Sequence, residues 1–503
     1  MKSLDQIAAQ LQGYDPQALR ASAVNEFLAQ LVVPVEAREQ VGIFDALGRV
    51  LAADVVSPVN VPPHDNSAMD GYAFAGEDLA AGIPLTLKVV GTALAGAAWR
   101  GSVGLGECLK IMTGAVLPAG LDTVVPQELV QPTTAAPAPA SAGAADTFIT
   151  IAPNLLKQGD NRRAMGEDIG QGQAALRQGE RLTPAALGLL ASLGLQSVPV
   201  WRRLRVAYFS TGDEILSLGE APREGAVYDS NRYTVFGLLV RLGVEMIDLG
   251  VVRDEPALLE AAFTHAANVA DAIITSGGVS VGEADHTKAM MHKLAGQAAD
   301  GPGGPGTASG NAANNAAGVA FWRIAMRPGR PMAVGRLPRQ SHSTAFHRDL
   351  EAKSDVSPRP DYIVRYNSNS LHYFDTFDAG CPATDGHAVL FGLPGNPVAV
   401  MVTFLAFVRP ALLRMMGSTE SPPPLLKASS LEAIRKKPGR TEYQRGIVKS
   451  LADGQLSVKL TGNQGSGVLS SMTQANGLIV LHHDQGNVAP GDLVDVMMFD
   501  GAI

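Results

Sequence analysis

An alternation of strand and helix patterns runs through residues 204–418 and limits the fold more than any other feature of the chain. Helix patterns lie at residues 230–243, 254–270 and 287–295, next to apolar runs that predict buried strands, RLRVAYFS, VEMIDLGVV and ADAIITS. VLFGLPGNP and the apolar run after it add a fourth strand, a turn and a further helix. Alternating βαβ units form parallel sheets with helices on both faces. The sequence therefore predicts a doubly wound α/β domain.

The regions on either side of this domain show different patterns. Residues 22–33 and 34–52 predict helical or mixed structure, and residues 57–160 contain short strands with frequent Gly and Pro. Residues 419–503 again alternate short strands, as in a small β-barrel or sandwich. Because a chain of 503 residues is too long for one hydrophobic core, we expect several domains.

Three segments have compositions typical of loops. Residues 131–146 are rich in Ala and Pro, residues 296–318 in Gly, Ala and Asn, and residues 338–388 are polar and mixed. The first two carry too few bulky apolar side chains to offset the entropy cost of ordering them. We interpret all three as insertions, and the sequence does not indicate what they do.

Composition narrows the class of function. The net charge of −8 and the lack of a long basic run argue against nucleic-acid binding. Cys108 and Cys381 are far apart, so neither a disulfide framework nor a structural zinc site is predicted. The N-terminus lacks the apolar core of a signal peptide, and no apolar stretch approaches the ~20 residues of a membrane span. A cytoplasmic location follows by elimination.

Acidic residues follow three predicted strands of the doubly wound domain. The first strand leads into residues 210–214 (STGDE), the second into Asp254, and the third into residues 276–285 (SGGVSVGEAD). The carboxyl ends of parallel strands share one edge of the sheet, where ligands bind. Because magnesium prefers oxygen ligands, Glu214, Asp254 and Asp285 are candidate metal ligands and catalytic residues. Ordinary turns and helix caps are the alternative.

Glycines and a helix start at the same edge predict anion binding. Successive glycines let backbone N–H groups approach a phosphate closely, and a helix N-terminus favours negative charge. The candidate substrate-binding residues in the loop after the third strand and at the turn before the last helix are Ser276, Gly277, Gly278, Ser280, Gly395, Asn396 and Pro397. A tight turn with a proline helix start is the alternative for the second group.

Cationic side chains flank these loops. Arg323, Arg327 and Arg330 lie in FWRIAMRPGRP, and Lys288 follows the acidic end of the third loop. Arginine grips oxyanions through two parallel hydrogen bonds. If the segment is extended, Arg323 and Arg327 point to the same face. A solvated charged edge is the alternative.

The whole set of motifs resembles the molybdopterin molybdotransferase family, that is MoeA and the gephyrin E domain. The resemblance covers about residues 22–500, and the motifs occur in family order. They are DNSAMDGYA (65–73), IMTGA (111–115), RRAMGEDIG (162–170), STGDE (210–214), YDSNR (228–232), RDEP (253–256), SGGVSVGEAD (276–285), GLPGNP (392–397), GRTEYQRG (439–446) and QGSG (464–467). The first three are weak signals alone, because turns formed by small polar residues are common.

The family resemblance implies a multidomain α/β fold of four domains. They are a helical linking domain (1–56 and 162–203), an inserted β-rich domain (57–161), the doubly wound molybdopterin-binding domain (204–418) and a C-terminal β-domain (419–503). It implies insertion of molybdenum from molybdate into adenylylated molybdopterin with magnesium and release of AMP. It also implies a homodimer whose active site uses both subunits, and transient contact with other cofactor-assembly proteins.

Residue by residue, the resemblance adds candidates outside the doubly wound domain. Asp70, Thr113 and Asp168 match catalytic positions, and Arg445 and Ser466 match positions near the oxyanion site. One departure is that family members commonly have Lys where this chain has Arg323, Arg327 and Arg330. Alternatives are a molybdopterin adenylyltransferase, which uses a related doubly wound domain, and a gephyrin-like scaffold protein.

Overall fold

The computed structural model describes residues 2–134, 146–278, 286–297, 318–339, 364–367, 370–373 and 386–500. Most of the three predicted insertions therefore lies outside the described residues, as do the candidate site residues Ser280 and Asp285. The fold is mixed α/β, as the sequence predicts.

In the N-terminal part, the segments of chain that lead to a β-rich unit and back from it pair with each other as strands. Its helices are α1 (Leu4–Gln10), α2 (Ala21–Leu31) and α3 (Pro184–Ser192). Its strands are β1 (Arg38–Gly42), β2 (Val55–Val56), β3 (Asn66–Ser67), β4 (Gly71–Phe74), β5 (Leu85–Ala93), β6 (Glu107–Ile111), β7 (Thr123–Pro126), β8 (Thr133–Thr134), β9 (Thr147–Ile151), β10 (Arg162–Arg163), β11 (Ala174–Leu176) and β12 (Ser197–Trp201). β1 pairs with β12, β2 with β11 and β3 with β10, all antiparallel.

The β-rich unit is formed by the strands β4 to β9, which lie between the outgoing and returning segments. Its six-stranded sheet has the order β7-β4-β6-β5-β9-β8. The nested pairs β1–β12, β2–β11 and β3–β10 make this unit an insertion. The linking part is therefore only partly helical. Residues 34–52, for which the sequence predicts helical or mixed structure, contain β1, which pairs with β12 from the other side of the insertion.

The doubly wound part is built on an eight-stranded sheet of order β18-β20-β23-β17-β13-β16-β21-β22. The strands of this part are β13 (Arg205–Thr211), β14 (Ile215–Leu216), β15 (Val227–Tyr228), β16 (Glu245–Val252), β17 (Ala272–Ser276), β18 (Gly318–Arg323), β19 (Met326–Arg327), β20 (Pro331–Pro338), β21 (Val364–Asn367), β22 (Ser370–Tyr373) and β23 (His387–Leu393). β14 and β15 form a separate short pair, and β19 pairs with the C-terminal part. β16, β13, β17 and β23 are parallel, and antiparallel strands extend both edges.

Helices cover both faces of this sheet. They are α4 (Ser230–Leu242), α5 (Pro256–Val269), α6 (His286–Gln297) and α7 (Pro397–Met415). Separate apolar clusters on the two faces account for this arrangement, because α4 and α7 belong to one and α5 and α6 to the other. α7 is long and apolar enough to span a membrane by composition, but 83% of its most apolar stretch is buried in the protein, as expected of a core helix.

The apolar cluster under α4 and α7 also joins the N-terminal helices to the sheet. Phe27 of α2 packs edge-on against Trp322, with ring centroids 4.9 Å apart. The buried Arg336 side chain donates hydrogen bonds to the carbonyl oxygens of Lys2 and Leu31. Apolar packing and these bonds fix the linking helices against the doubly wound part.

The C-terminal part is a closed β-barrel. Its elements are β24 (Leu426–Ser430), β25 (Thr441–Ser450), β26 (Leu456–Leu460), α8 (Ser470–Gln474), β27 (Gly477–Leu481) and β28 (Leu493–Met498). The strand order β25-β26-β24-β28-β27 closes because β27 also pairs with β25. β19 adds to the barrel in parallel with β25, so a segment of the doubly wound part is hydrogen-bonded to the barrel.

Candidate active site

A cavity of about 940 Å³ lies at the carboxyl ends of β13, β17 and β23 and is closed on one side by the barrel. We call it the interdomain cavity. Predicted site residues that line it are Glu214, Ser276, Gly277, Gly278, Arg327, Arg330, Gly395, Asn396, Pro397 and Ser466. Ten predicted residues from five separate segments of the chain therefore meet in one place.

Three buried hydroxyl groups form the floor of the interdomain cavity. Tyr208 and Ser210 alternate onto the same face of β13, and Ser276 lies opposite Ser210 in the parallel register with β17. The Tyr208 hydroxyl is 2.9 Å from the Ser210 hydroxyl and 2.7 Å from that of Ser276. The two serine hydroxyls are 3.2 Å apart. Ser210 and Ser276 also line the cavity, so the network reaches its surface.

The loop after β17 needs its glycines. Gly277 has φ +91°, and a Cβ atom there would lie 2.5 Å from the Thr211 carbonyl oxygen. A Cβ atom on Gly278 would lie 2.5 Å from the Thr287 side chain. The chain can therefore pass between these neighbours only without side chains, as the phosphate-type loop predicted from the sequence requires.

The turn before α7 is fixed from two sides. The Asn231 side-chain amide donates to the Gly395 carbonyl oxygen at 2.7 Å. The N–H of Val398, in the first turn of α7, donates to the Ser466 carbonyl oxygen of the barrel at 3.2 Å. The start of a buried helix thus faces the cavity, and its positive dipole end favours an anion there.

Two of the three arginines belong to the interdomain cavity. Arg327 and Arg330 line it and are exposed to it. Arg323 is the last residue of β18, and its backbone N–H donates to the Pro16 carbonyl oxygen at 2.7 Å. The prediction that Arg323 and Arg327 point to the same face required one continuous extended segment, and the segment is not continuous. The Ile324 N–H donates to the Arg330 carbonyl oxygen, and Arg327 lies in β19, which pairs with the barrel.

Lys288 and Arg445 lie away from the cavity surface. The Lys288 ammonium group lies 5.0 Å from the centre of the Phe321 ring, on the α6 face of the sheet. Arg445 is 1% exposed, and its guanidinium group donates to Ser471 Oγ at 2.9 Å and to the carbonyl oxygens of Asn463 and Gly465 at 3.2 and 2.9 Å. Arg445 therefore holds the loop that presents Ser466. Burial, and then the nearby Arg327, lower its pKa.

The predicted acidic trio is only partly described. Glu214 lines the interdomain cavity, whereas Asp254 accepts the Thr287 hydroxyl at 3.4 Å and its N–H donates to Asp213 at 3.2 Å. Asp285 lies outside the described residues. Within the described part of the chain, no three His, Cys, Asp or Glu side chains cluster closely enough to hold a metal ion. The magnesium trio stays a prediction.

Sequence reasoning missed two buried polar residues of this site. Asp229 is 4% exposed; its Oδ1 accepts the Arg232 N–H at 3.0 Å and caps α4. Its Oδ2 and the Asn231 Oδ1 find no hydrogen-bond partner among the described residues. Both residues line the cavity. The YDSNR motif contains them, and the capping position before α4 was the available signal.

Asp70 and Thr113 lie on the β-rich unit and Asp168 lies in the segment that connects this unit to the linking part, so none of the three lines this chain's interdomain cavity. Asp70 Oδ1 accepts hydrogen bonds from the backbone N–H and the hydroxyl of Thr113, both at 2.7 Å. The exposed Asp168 follows β10, which pairs with β3, and its N–H donates to the Val61 carbonyl oxygen at 3.0 Å. Strand pairing thus brings the motif of Asp168 to the motif of Asp70, although the two are far apart in sequence.

The fold and the cavity define a class: a multidomain α/β protein in which a doubly wound sheet and a β-barrel enclose a cavity lined by arginines, a glycine loop and the start of a helix. Three family models match the chain in order. They are the MoeA N-terminal region (domain I and II) at residues 19–194, a probable molybdopterin binding domain at 207–303 and the MoeA C-terminal region (domain IV) at 427–499.

Full-length relatives agree with the family models. The molybdopterin molybdenumtransferase of Haemophilus influenzae is 36% identical over 479 residues, which cover 95% of this chain and 98% of the relative. That of Nostoc sp. is 31% identical over 91% of this chain and 88% of the relative. The crystal structure of the molybdopterin biosynthesis moeA protein from Pyrococcus horikoshii OT3 shares the fold, with a TM-score of 0.67, 23% identity and coverage of 96% and 100%. The chain belongs to the molybdopterin molybdenumtransferase family, which are transferases of molybdenum cofactor biosynthesis.

Proposed function

We propose that this chain inserts molybdenum from molybdate into adenylylated molybdopterin and releases AMP with magnesium. The observation that carries the proposal is the convergence of cations and anion-binding backbone on one cavity. Arg327 and Arg330 line the same space as the loop at Ser276 and the start of α7. The proposed reaction brings a substrate that carries phosphate groups together with molybdate, a second anion. It needs such a surface, because the two anions must be held side by side despite their repulsion.

Arginine in place of lysine fits this task. A guanidinium group binds an oxyanion through two parallel hydrogen bonds, whereas an ammonium group acts as a point charge. Arg327 and Arg330 both line the interdomain cavity. Two cations that face one cavity favour a multiply charged ligand over a single carboxylate.

Magnesium fits the donor chemistry of the interdomain cavity. Hard cations prefer oxygen ligands, and the cavity lining includes the Glu214 carboxylate and the buried Asp229 carboxylate. Glu214, with Asp254 and Asp285, would hold the ion, which when bound would neutralise negative charge on the substrate phosphates. The protein groups would do the rest: the loop at Ser276 and α7 orient the phosphates, and the arginines hold molybdate.

The proposal includes a homodimer with a shared site in the cytoplasm. The Asp70–Thr113 pair on the β-rich unit and Asp168 after β10 are polar groups at the protein surface, so they are available to a second subunit. Adenylylated molybdopterin and molybdate would be the ligands, and other cofactor-assembly proteins would be transient partners. Neither nucleic acid nor membrane is part of the proposed function.

Reconstitution with purified components tests the function. The protein is supplied with adenylylated molybdopterin, molybdate and magnesium, and AMP and active cofactor are measured. Molybdate-dependent AMP release with active cofactor is the expected result. Consumption of ATP with bare molybdopterin would instead identify an adenylyltransferase, and binding without turnover would identify a scaffold protein.

A further inference from the structure

Tyr208 is buried behind the lining of the interdomain cavity. Its side chain is 0% exposed and belongs to the apolar cluster under α4 and α7, yet its hydroxyl contacts the two cavity serines, Ser210 and Ser276. An apolar residue at this position would satisfy the core equally well, because only the oxygen atom at the ring's tip meets polar neighbours. The hydroxyl therefore has a task that packing does not require.

Counting hydrogens shows what that task is. Three hydroxyl groups carry three hydrogens and make three mutual oxygen–oxygen contacts, of which the Ser210–Ser276 contact is the longest at 3.2 Å. In a closed ring each hydrogen is used within the network, and no serine hydrogen points into the cavity. If the longest contact opens, Tyr208 can donate to one serine while that serine donates outward.

Burial keeps the tyrosine in the form that this exchange needs. Desolvation is the largest influence on Tyr208 and raises the pKa of its phenol, with a smaller contribution in the same direction from the negative charge of Asp229. The phenol therefore stays protonated and can donate a hydrogen at any working pH. Ser210 and Ser276 are 2% exposed, so few competing waters reach them.

We propose that Tyr208 is a positioning residue: by donating its hydroxyl hydrogen to one of the two serines, Ser210 or Ser276, it leaves that serine's own hydrogen to point toward a tetrahedral oxyanion in the interdomain cavity. The inference rests on the proposed function, since both a substrate phosphate and molybdate are tetrahedral oxyanions. The glycine loop after β17 and the start of α7 line the same space, so the freed serine hydroxyl would act on an anion together with the positive end of the helix dipole.

Direct binding measurements test this inference without turnover. Calorimetry with AMP and, separately, with molybdate gives dissociation constants for the wild type and for Tyr208→Phe, and shows which oxyanion the serines hold. We expect the variant to bind one of the two about tenfold more weakly, the usual effect of losing one hydrogen bond to a charged group. If that ligand is molybdate, the KM for molybdate should rise, and if it is AMP, the KM for adenylylated molybdopterin should rise, while kcat changes little.

Tyr14→Phe is the matched control. Tyr14 also loses a hydroxyl that accepts one hydrogen bond, from Trp322 Nε1 at 2.9 Å, but it lies in the N-terminal part, away from the cavity. Its binding constants should equal those of the wild type. An equal loss in both variants would mean that general destabilisation weakens binding, and would overturn the inference.

A double-mutant cycle separates positioning from structure. In a Ser210→Ala, Ser276→Ala background, Tyr208→Phe should weaken binding no further, because the tyrosine acts through the serines. A further tenfold loss in that background would overturn the inference, as would unchanged binding in Tyr208→Phe alone. If Tyr208→Phe fails to fold, 3-fluorotyrosine at position 208 replaces it; this stronger donor should tighten binding, and unchanged or weaker binding contradicts the inference.

Failure of the proposed function would be distinguishable. A wild type that binds AMP or molybdate but forms no cofactor would contradict the proposed function. The double-mutant cycle would then still decide whether Tyr208 acts through the two serines. A wild type that binds neither anion would overturn the inference itself.

Discussion

One carboxylate oxygen of Asp70 accepts both the backbone N–H and the hydroxyl of Thr113, each at 2.7 Å. Two donors on one oxygen stabilise the ionised form, and these bonds lower the pKa of Asp70 from its usual 3.8. The pair joins two strand ends of the β-rich unit, and it holds the carboxylate charged and oriented at the surface.

Replacing Thr113 with Val should raise the pKa of Asp70, because the hydroxyl donor is lost while the backbone donor remains. A carboxylate with a lowered folded pKa stabilises the fold above its unfolded pKa, and this contribution disappears as pH falls through the folded pKa. The free energy of unfolding of the variant should therefore fall less steeply as the pH is lowered through the folded pKa of Asp70. Carboxyl NMR titration measures the pKa, with Thr86→Val, at a threonine pair without a carboxylate, as control.

The shared-site model predicts complementation between inactive variants. Asp70→Ala and Asp285→Ala should each abolish AMP release. Mixed under conditions that allow subunit exchange, they should regain part of the activity, because one site of each heterodimer keeps both carboxylates. Confirmed exchange without any recovery would place Asp70 in its own subunit's site or in its turn alone.

The arginines should separate by position. Arg327→Ala should lower turnover at limiting molybdate about 10- to 100-fold, as expected when a charged donor to an oxyanion is removed. Arg323→Ala makes the same chemical change at the end of β18, outside the cavity, and should stay near wild type. Steady-state kinetics over a range of molybdate concentrations measures both, and equal losses would contradict the assignment of Arg327.

Arg445→Met should destabilise the barrel and loosen the Ser466 loop. The substitution leaves the part-buried carbonyl oxygens of Asn463 and Gly465 without their donor, which costs up to about 1 kcal/mol for each, less than for a fully buried group. Thermal unfolding should show a lower Tm, and molybdate should bind more weakly. Lys459→Met, an exposed position on β26, is the control, and a Tm equal to that control would refute the supporting role.

Metal dependence tests the acidic residues. Asp254→Asn should reduce magnesium-dependent AMP release and raise the magnesium concentration needed for half-maximal rate, because an amide lacks the charge of the carboxylate. Glu255→Gln changes the exposed neighbour in the same way and should leave the magnesium response unaltered. Identical magnesium titrations for the two variants would remove Asp254 from the metal site.

The sequence predicts the doubly wound part closely because its signals are local. The patterns for α4, α5 and β16 begin and end within two residues of the observed elements, since buried apolar runs and helix caps lie side by side in the chain. The helical or mixed interpretation of residues 34–52 did not identify β1. This strand pairs with β12, which is distant in sequence, and no local pattern records such a pairing.

The site could be predicted where a motif and a strand end coincide. Gly277 directly follows β17, Arg330 directly precedes β20 and Asn396 directly precedes α7, and each of them lines the cavity. Arg323 does not, because a turn at Ile324 depends on the barrel pairing with β19. Asp229 was missed for a similar reason: its capping bond is local, but its burial comes from the cavity walls around it.

The pairing of β19 with β25 couples the two walls of the cavity mechanically. Arg327 stands in a chain segment of the doubly wound part but is held by the ladder of the barrel, and the Thr441 N–H binds the Ala325 carbonyl oxygen beside it at 2.9 Å. A rotation that moved the barrel away from the sheet would carry the guanidinium group with it. Under the proposed function, opening of the cavity and release of the anion from Arg327 would then be a single event. Release of product would require no separate motion of the arginine.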